Sequence, residues 1–592
     1  MIKKFISVFI VTALVILTFS ACNTSLQEVA TTVPATQTNP AETNMDFKFT
    51  DNDLDASFDE NSATKIDVSN TKEITKAGTY ILSGKLTNAT FTVNAGKEDK
   101  IKLVFKNVSI TNENGPAIYI KSADKVFITL AENTENIISD GKNYSVTDAE
   151  TTIDSAIFSR EDLTINGKGK LTVNGNFKHG IVSKDDLVIT SGTINVTSKN
   201  TALYGKDCVK MTNTSVTAKA GTDAIKSDNA EDATRGFIYI ESGNYNLTSE
   251  NDGIQAVKAI NIADGTFKIS SGDDGIHSND TFTFSKGTID ILKSYEGIEA
   301  DHISISGGKI SINASDDGLN ATEPSDESTD KGPDKNMFTP TNSTINISGG
   351  YTYINSDGDG IDSNGSINIS GGITLINGPS AAPEVGFDYN GNATVSGGIL
   401  VSLSASGMIQ NFSQATNQGS ILYSFKDEQK AGTNFALCDE NDKVIVSINS
   451  QKSYSAVLVT APEIKEGKNY KIVTGAEIKN TDQYGYAAST EKTGGTVIET
   501  IQMTTSLYGA SNGMPGGMTP DFGGGKPNGN FPNFDEMPSM PDGNIPQPPN
   551  GNIPDFGEMP SMPDGNFPQP PNGNIPGGPG GTPPQAQPGA KR

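Results

Sequence analysis

The chain consists largely of short runs in which apolar and polar residues alternate. Examples are "INIADGTFKIS", "FTFSKGTIDIL", "ISISGGKISIN", "INISGGYTYIN" and "ATVSGGILVSL". Two-residue alternation rich in Ile, Thr, Val and Phe is typical of β-strands, and the Gly-containing pairs between the runs indicate turns or bends. Helical periodicity is nearly absent. The pattern therefore predicts an all-β protein built from short strands.

The runs recur at a constant interval, as between Ile254, Ile276 and Ile298. Each repeat has an apolar anchor after Gly or Ala; the anchors are Ile157, Ile181, Leu203, Ile225, Ile254, Ile276, Ile298, Leu319, Ile361 and Phe387. Two longer spacings contain the insertions "NAEDATRG" and "TEPSDESTDKGPDKNMFTPT". The underlying period is about 22 residues, within the range of stacked repeat proteins. A unit this small cannot bury its own apolar face, so it must stack on its neighbours.

Stacking predicts a right-handed parallel β-helix over residues 46–508, in which one repeat forms one turn of the β-helix. A β-propeller blade would be longer, with about 40 residues or more. A leucine-rich repeat would carry a Leu and Asn signature, which the sequence lacks.

An acidic residue precedes many of the Gly-apolar pairs. In a stacked repeat, residues one period apart lie about 4.8 Å from one another, so these carboxylates would form a column. The first column comprises Asp252, Asp274, Glu296, Asp317 and Asp359, enlarged by Asp273, Asp316 and Asp357; a second comprises Gln255, His277, Glu299, Asn320 and Asp362. Unit charges at this spacing repel by about 3 to 4 kcal/mol at an effective dielectric constant of ~20. A cation is expected to neutralise the column.

Ca²⁺ is the cation that such a column favours, because it takes roughly six to eight oxygen ligands from carboxylates, amides and backbone carbonyls. Zinc is disfavoured, since the chain has only three histidines and three cysteines. The predicted metal ligands are Asp223, Asp228, Asp252, Asp273, Asp274, Glu296, Glu299, Asp316, Asp317, Asp357, Asp359 and Asp362. An alternative stays open, because Asp-Gly pairs are good turn formers and a solvated acidic edge discourages end-to-end association.

The amino-terminal segment, "MIKKFISVFIVTALVILTFSAC", begins with Met, Ile and two lysines, continues with an apolar run and ends in small residues before Cys22. This is the pattern of a secretory signal. "FSAC" resembles the lipobox of bacterial lipoproteins, in which the cysteine is lipidated; an ordinary signal peptide with a chance cysteine is the alternative. The prediction is a signal peptide over 1–22, a linker over 23–45, and a protein anchored by Cys22 to the extracellular face of a bacterial membrane, with no other membrane contact.

Residues 509–592 are rich in Pro, Gly, Met and Asn, and "EMPSMPDGN" occurs there twice. Such a segment is predicted to be disordered or extended, and it is a candidate for contact with the cell wall. The formal net charge of −26 argues against a nucleic-acid partner, whose phosphates demand Lys and Arg. After Cys22 only Cys208 and Cys438 remain, so stability must come from the core and not from a disulfide framework.

Lys226 is the best candidate for a catalytic base, and Lys293 is a weaker one. A lysine beside a Ca²⁺-binding edge is the arrangement of a pectate-type lyase, in which the metal acidifies the proton next to a uronate carboxyl group and the amine removes it. Lys226 lies in "GTDAIKSDN", between Asp223 and Asp228. A solvated structural lysine is the alternative interpretation, because a base requires a depressed pKa.

Several segments resemble one bacterial family. "ITKAGTYILSGKL", "TVNAGKEDKIKLVFKNVSITNENGPAIYIKSADKVFITLAENTENIISDG" and the "DGIQA" and "DDGIHS" repeats look like the carbohydrate-binding β-helix lipoproteins, over about residues 70–505. The resemblance implies an extracellular, calcium-containing right-handed β-helix, similar to polysaccharide lyases of family 9 but with little or no lyase activity. It implies cellulose and polygalacturonate as ligands, and Asp252, Asp273, Asp274, Asp316 and Asp317 as calcium ligands.

Three functions follow as hypotheses. The first is a non-catalytic cell-surface lipoprotein that binds acidic or cellulosic polysaccharide through a calcium-bearing β-helix. The second is a calcium-dependent polysaccharide lyase with Lys226 as its base. The third is a structural envelope adhesin without a glycan ligand.

Overall fold

A computed structural model describes residues 44–324 and 339–510. These residues contain one short helix, α1 (Asp51–Leu54), and 42 strands, which confirms the all-β prediction. No helix in the described ranges has the length and apolar character needed to cross a membrane. The chain divides into two compact units, Met1–Gly517 and Met518–Arg592, and all described residues belong to the first. The predicted signal peptide with Cys22, nearly all of the linker and the tail from residue 511 lie outside the described residues.

The strand bounds in the amino-terminal half are β1 (Thr64–Asp67), β2 (Glu73–Ile74), β3 (Gly78–Thr87), β4 (Phe91–Asn94), β5 (Lys100–Thr111), β6 (Ile118–Ser122), β7 (Lys125–Leu130), β8 (Glu135–Ser139), β9 (Ser155–Ser159), β10 (Asp162–Gly167), β11 (Lys170–Gly175), β12 (His179–Ser183), β13 (Asp186–Ile189), β14 (Gly192–Ser198), β15 (Leu203–Gly205), β16 (Cys208–Met211), β17 (Thr214–Ala220), β18 (Ile225–Ser227), β19 (Phe237–Ile240), β20 (Gly243–Ser249) and β21 (Ile254–Ala256).

The remaining strands are β22 (Ala259–Ile262), β23 (Thr266–Ser270), β24 (Ile276–Phe284), β25 (Thr288–Ser294), β26 (Ile298–Ile305), β27 (Lys309–Ala314), β28 (Leu319–Ala321), β29 (Thr344–Ile347), β30 (Tyr351–Ser356), β31 (Ile361–Ser363), β32 (Ser366–Asn377), β33 (Ala393–Ser404), β34 (Gln414–Ala415), β35 (Gly419–Gln429), β36 (Asn434–Asp439), β37 (Val444–Asn449), β38 (Tyr454–Ala461), β39 (Asn469–Ile478), β40 (Ala487–Thr490), β41 (Lys492–Gln502) and β42 (Leu507–Tyr508).

Three ladders of parallel strands organise the repeats. Each strand pairs with its equivalents in the preceding and following repeats, and β3, β5, β24, β26, β32 and β33 are long enough to enter two ladders. Ladder 1 contains β2, β4, β6, β9, β12, β15, β18, β21, β24, β26, β28 and β31. Ladder 2 contains β1, β3, β5, β7, β10, β13, β16, β19, β22, β24, β26, β29, β32, β33 and β34. Ladder 3 contains β3, β5, β8, β11, β14, β17, β20, β23, β25, β27, β30, β32 and β33.

The anchors predicted from the sequence stack on one another in ladder 1. Ile254 is in register with Ile276, and Ile276 with Ile298, at the predicted period. They belong to one large apolar cluster, in which these three side chains are completely buried. Full burial of an Ile side chain contributes about 1.5 to 3 kcal/mol relative to exposure, so repeated anchors hold successive repeats together.

The segment 44–58 lies across ladder 2 and contacts strands that are far apart in sequence. At one end the Phe47 ring lies 5.2 Å from that of Phe237, and at the other Phe58 packs against a cluster that includes Ala131. Between them, Asp53 is buried and accepts a hydrogen bond from Thr164 Oγ1 at 2.6 Å. Helix α1 is only one turn, fixed by a capping box between Thr50 and Asp53.

The carboxyl-terminal part departs from the predicted repeat. The ladder pairing ends at Ala415, and β33 then pairs with β38 in antiparallel fashion. Five further strands, β40, β37, β36, β39 and β41, form a separate antiparallel sheet within 434–502. The sequence prediction extended the parallel repeat to residue 508. Alternation has the same two-residue period in parallel and antiparallel strands, so the pattern alone does not distinguish them.

Candidate functional site

The two predicted columns are present in ladder 1. The strand register places the residues after the anchors side by side in successive repeats: Lys226, Gln255, His277, Glu299, Asn320 and Asp362. The acidic residues two positions before each anchor form the parallel column in the turn that enters the strand. Of these, Asp252, Asp274 and Asp359 are buried.

The glycine that follows each acidic residue is required by close stacking. A Cβ on Gly275 would lie 2.6 Å from the carbonyl oxygen of Gly297 and 2.6 Å from the Ile291 side chain. A Cβ on Gly253 would meet the carbonyl oxygen of Gly275 in the same way. Neither glycine has a positive φ angle, so turn conformation does not require glycine at these positions.

Backbone amides of the next repeat orient several carboxylates of the column. The Asp274 N–H donates to Asp252 Oδ1 at 3.2 Å, and the Asp359 N–H donates to Asp317 Oδ1 at 2.6 Å. Val385 N–H donates to Asp359 Oδ1 at 2.5 Å. The column is therefore held by the same hydrogen-bonding pattern in distant repeats.

Within residues 44–324 and 339–510, three groups of side chains have ligand atoms that all lie within 4.8 Å of one another. The first, group A, is Asp252, Asp273 and Asp274, with Asp273 exposed. Burial, followed by the charges of Asp274 and Asp223, raises the pKa of Asp252 to about 7. Group A thus brings together carboxylates that oppose one another's ionisation.

Group B is Asp274, His277 and Glu299. His277 Nδ1 lies 2.9 Å from Asp274 Oδ2 and 3.3 Å from Glu299 Oε2. Burial lowers the pKa of His277, but the hydrogen bonds to these two carboxylates outweigh it and raise the pKa to about 11. An imidazolium therefore neutralises part of the column inside group B. Groups A and C consist of carboxylates and are the better cation sites, although group A shares Asp274 with group B.

Group C is Asp359, Asp362 and Asp388. Burial is the largest cause that raises the pKa of Asp359 to about 9 and of Asp362 to about 8, with nearby carboxylates adding to it. The pKa of Asp388 is raised as well, again chiefly by burial. The sequence prediction missed Asp388, although Phe387 was identified as an anchor and the next residue in each repeat belongs to the second column.

Glu296 and Asp317 continue the first column between these groups. Burial and then the charge of Glu299 raise the pKa of Glu296 to about 9, although Asn320 donates a hydrogen bond to it at 3.0 Å. Burial raises the pKa of Asp317 to about 7. Asp316 lies beside Asp317, since a Cβ on Gly358 would meet the Oδ1 atoms of both.

Three predicted ligands are held by protein groups instead. Asp223 is buried between Lys226 Nζ at 3.1 Å and Asn251 Nδ2 at 2.9 Å. Asp228 accepts a hydrogen bond from the Tyr204 hydroxyl at 2.6 Å. Asp357 is exposed and forms an ion pair with Lys452 at 2.7 Å. These three lie outside groups A, B and C, and each already has a side-chain donor of its own.

Comparison with known proteins assigns the chain to a family. The sequence profile of the carbohydrate-binding domain-containing protein family matches residues 69–324 and 272–427. Together these ranges exceed half of the 592 residues. The chain belongs to this family, which confirms the resemblance identified from its sequence motifs.

Two individual proteins are similar to it. A carbohydrate-binding domain-containing protein of Acetivibrio thermocellus is 45% identical over 125 residues, which are 21% of this chain and 44% of that protein. The chain therefore spans less than half the length of this relative. A solved structure, described as the polysaccharide lyase-like protein from C. thermocellum in a gadolinium derivative, is 36% identical over 36% of this chain and 84% of its own, with a TM-score of 0.33.

Proposed function

We propose that this protein is a non-catalytic cell-surface lipoprotein that binds an acidic polysaccharide through Ca²⁺ ions held by groups A and C. The observation that carries the proposal is the convergence of three carboxylates in each group, within or directly beside the strands of ladder 1. A polymer with carboxylates at regular intervals could be bridged by these ions at several positions. Many weak contacts then combine into useful avidity.

The chemistry of groups A and C fits Ca²⁺. Both consist of carboxylates, the hard oxygen ligands that Ca²⁺ prefers, and neither contains the cysteines or paired histidines typical of zinc sites. Burial opposes ionisation of Asp252, Asp359 and Asp362. A bound divalent cation would reverse this electrostatic penalty, because opposite charge stabilises the ionised form.

The proposal includes an architecture and a location. The three parallel ladders support a right-handed β-helix. In that arrangement the consecutive strands of one repeat belong to different ladders, and each strand pairs with the equivalent strand of the next repeat. Anchoring through Cys22 would present the ladders outside the membrane, and the tail 509–592 is proposed to contact the cell wall. Polygalacturonate and cellulose are the proposed ligands, with polygalacturonate favoured by the acidic site.

The test is elemental analysis of the purified protein before and after chelation, with retention on polygalacturonate and cellulose measured in each state. We expect calcium in the untreated protein and loss of polygalacturonate retention after its removal. Restoring calcium, but not an equal ionic strength of sodium, is expected to restore retention. Absence of calcium, or retention indifferent to chelation, would contradict the proposal, and no retention on any glycan would favour a structural adhesin.

A calcium-dependent lyase is the second candidate, because Lys226 lies directly beside Gln255 in the same column as groups B and C. Its position is suitable, but its Nζ is paired with the buried Asp223 carboxylate at 3.1 Å. This contact occupies the amine that a base would have to present to the substrate. The lyase predicts new ultraviolet absorbance from unsaturated uronate that Lys226→Gln abolishes; absence of product from every uronan tested would exclude it.

A further inference from the structure

A third column of residues runs beside the two columns of ladder 1. Its members stand three positions before an anchor, and the backbone N–H of each donates to the carbonyl oxygen of the member in the preceding repeat. These hydrogen bonds measure 2.8 Å from Tyr295 to Asp273, 2.9 Å from Asp316 to Tyr295 and 3.0 Å from Gly358 to Asp316. One aromatic ring therefore lies between two acidic residues of the same column.

Tyr295 is exposed to a degree that core packing does not explain. Its side chain is 47% exposed, and it is the one aromatic among the exposed large apolar side chains in the part of the chain that the structure describes. Leu292, three residues before it, is 49% exposed. Exposure of apolar surface to water is unfavourable, so two such side chains at one place indicate a surface that a ligand covers.

A β-bulge in β25 shapes this surface. The pairing of β25 with β27 shifts by one residue between Ile291 and Ser294. Leu292 and Lys293 are both exposed, whereas Ile291 and Ser294 are buried. The extra residue thus keeps two consecutive side chains on the solvent side and returns Ser294 to the interior. Bulges recur next to functional sites, where they redirect side chains, and this one directly precedes Tyr295.

The Asp316 carboxylate fixes the outer end of the Tyr295 side chain. The phenolic hydroxyl hydrogen-bonds to that carboxylate, which raises the pKa of Tyr295 to about 12. A ring that is held at its tip loses less conformational entropy when a ligand binds. Tyr295 therefore combines an exposed apolar ring with a hydroxyl that is already bonded to the protein.

We propose that Tyr295 is a stacking platform for one sugar residue of the bound polymer, next to group A. The face of an aromatic ring is negative, so it attracts the weakly positive C–H groups on one face of a pyranose ring. Asp273 belongs to group A and precedes Tyr295 directly in the third column. A uronate whose carboxylate binds the cation of group A therefore lays its ring on Tyr295.

The contact with Tyr295 is made by the sugar ring and not by the uronate carboxylate. The charges of Asp273 and Asp316 on either side would repel that carboxylate in the absence of a cation. The inference rests on the proposed function, because it assigns a contact to the sugar that the metal of group A holds. It adds a residue that recognises the shape of the sugar, whereas the cation recognises its charge.

The test uses the purified full chain with trigalacturonate as the probe. Calorimetry measures the affinity of calcium for chelator-treated protein and the affinity of trigalacturonate for calcium-loaded protein. Tyr295→Ala is expected to weaken trigalacturonate binding about threefold to tenfold, the range of one aromatic contact, and to leave the calcium affinity unchanged. Tyr295→Phe keeps the ring and is expected to bind trigalacturonate as wild type does.

Val497→Ala is the matched control, because Val497 is 48% exposed and lies on β41 of the antiparallel sheet. It should bind calcium and trigalacturonate as wild type does. NMR of protein with isotope-labelled tyrosine rings provides a second measurement, in which the signal missing from Tyr295→Phe identifies Tyr295. We expect trigalacturonate to shift that signal in calcium-loaded wild type.

Equal trigalacturonate affinity of wild type and Tyr295→Ala, or a Tyr295 signal that the probe does not move, would overturn the platform. An equal loss in Tyr295→Phe and Tyr295→Ala would also overturn it, because the hydroxyl and not the ring would then be responsible. If wild type still binds calcium and trigalacturonate in these cases, only the platform fails. If wild type binds neither, the proposed function fails together with it.

Discussion

The carboxylate of Asp317 accepts a hydrogen bond from the backbone N–H of Asp359, 2.6 Å away, although 42 residues separate them in the chain. The usual separation along the column is 22 residues, as between Asp252 and Asp274. The insertion between β28 and β29 therefore leaves the column intact. Stacking geometry, and not distance along the sequence, determines which carboxylates become neighbours.

Asp359→Asn tests the metal role of group C. The amide keeps an oxygen that can accept the Val385 N–H, which now bonds to Asp359 Oδ1 at 2.5 Å, so the fold should be retained. Loss of one charged ligand is expected to weaken calcium binding at this site at least about tenfold. Titration of calcium into chelator-treated, calcium-free protein in a calorimeter measures this affinity. Asp290→Asn, on β25 in ladder 3, is the control; equal affinity of both variants would remove Asp359 from the ligands.

Gly275→Ala tests the steric account of the Asp-Gly pairs. The new Cβ would lie 2.6 Å from both the Gly297 carbonyl oxygen and the Ile291 side chain. Overpacking of this kind costs about 1 to 3 kcal/mol, and we expect a value near the upper end because one contact is backbone. Chemical denaturation provides the measurement.

Gly432→Ala is a suitable comparison for Gly275→Ala. Gly432 has a φ of 82° and no atom within 4 Å of its would-be Cβ, so only the left-handed conformation opposes alanine, at about 1 kcal/mol. A smaller loss at Gly275 than at Gly432 would contradict the stacking explanation.

Asp53→Asn is expected to lower the free energy of unfolding by about 3 kcal/mol. Asp53 is buried, and its Oδ1 lies 2.8 Å from Lys125 Nζ. The variant would leave that ammonium short of its nearest counter-charge. Asp55→Asn, an exposed carboxylate in the same segment, is expected to have a much smaller effect.

The effect of Asp53→Asn should depend on pH. Burial raises the pKa of Asp53, but hydrogen bonds from Lys125, Thr164 and Thr50 outweigh it and hold the pKa below its ordinary value of 3.8. The stabilisation is therefore complete above the unfolded pKa and is lost as pH falls through the lower folded pKa. Denaturation curves for wild type and variant should converge in acid; a gap that widens there would contradict the ion pair.

Tyr484→Ala is expected to loosen the antiparallel sheet from ladder 3. The Tyr484 ring stacks on that of Tyr353 at 4.0 Å and 11°, and Lys309 Nζ lies 5.0 Å from its centre. Such an aromatic pair contributes about 0.5 to 1.5 kcal/mol beyond the area it buries. A double-mutant cycle with Tyr353→Leu measures this coupling, and additive effects of the two changes would show that the stack is not energetically significant.

The repeat could be predicted because its signal is local. Alternation and the constant spacing identified the anchors, and stacking then placed Asp252 beside Asp274 and Asp359 beside Asp317. The role of His277 could not be predicted in this way. Its pairing with Asp274 and Glu299 depends on side-chain rotamers and burial, which the amino-acid sequence of the repeats does not specify directly.

Other features were hidden because their partners are remote. Asp53 looks like one acidic residue in a polar stretch, and only folding brings Lys125, Thr164 and Thr190 around it. The antiparallel sheet shares the alternation of the ladders, so its different pairing left no separate trace in the pattern. Lys452 and Asp357 likewise meet only because the late strands fold back.

The position of segment 44–58 has a consequence for the order of folding. Its residues precede the ladders in the chain, yet the backbone carbonyl of Asp53 accepts a hydrogen bond from Thr190 Oγ1, and Met45 packs in a cluster with Phe237 and Ala259. A chain emerging from its amino terminus therefore displays this segment before any of its docking strands exist. The segment can dock completely on ladder 2 only after the strand that contains Ala259 has formed. The part of the described structure that is synthesised first therefore covers ladder 2 late in folding.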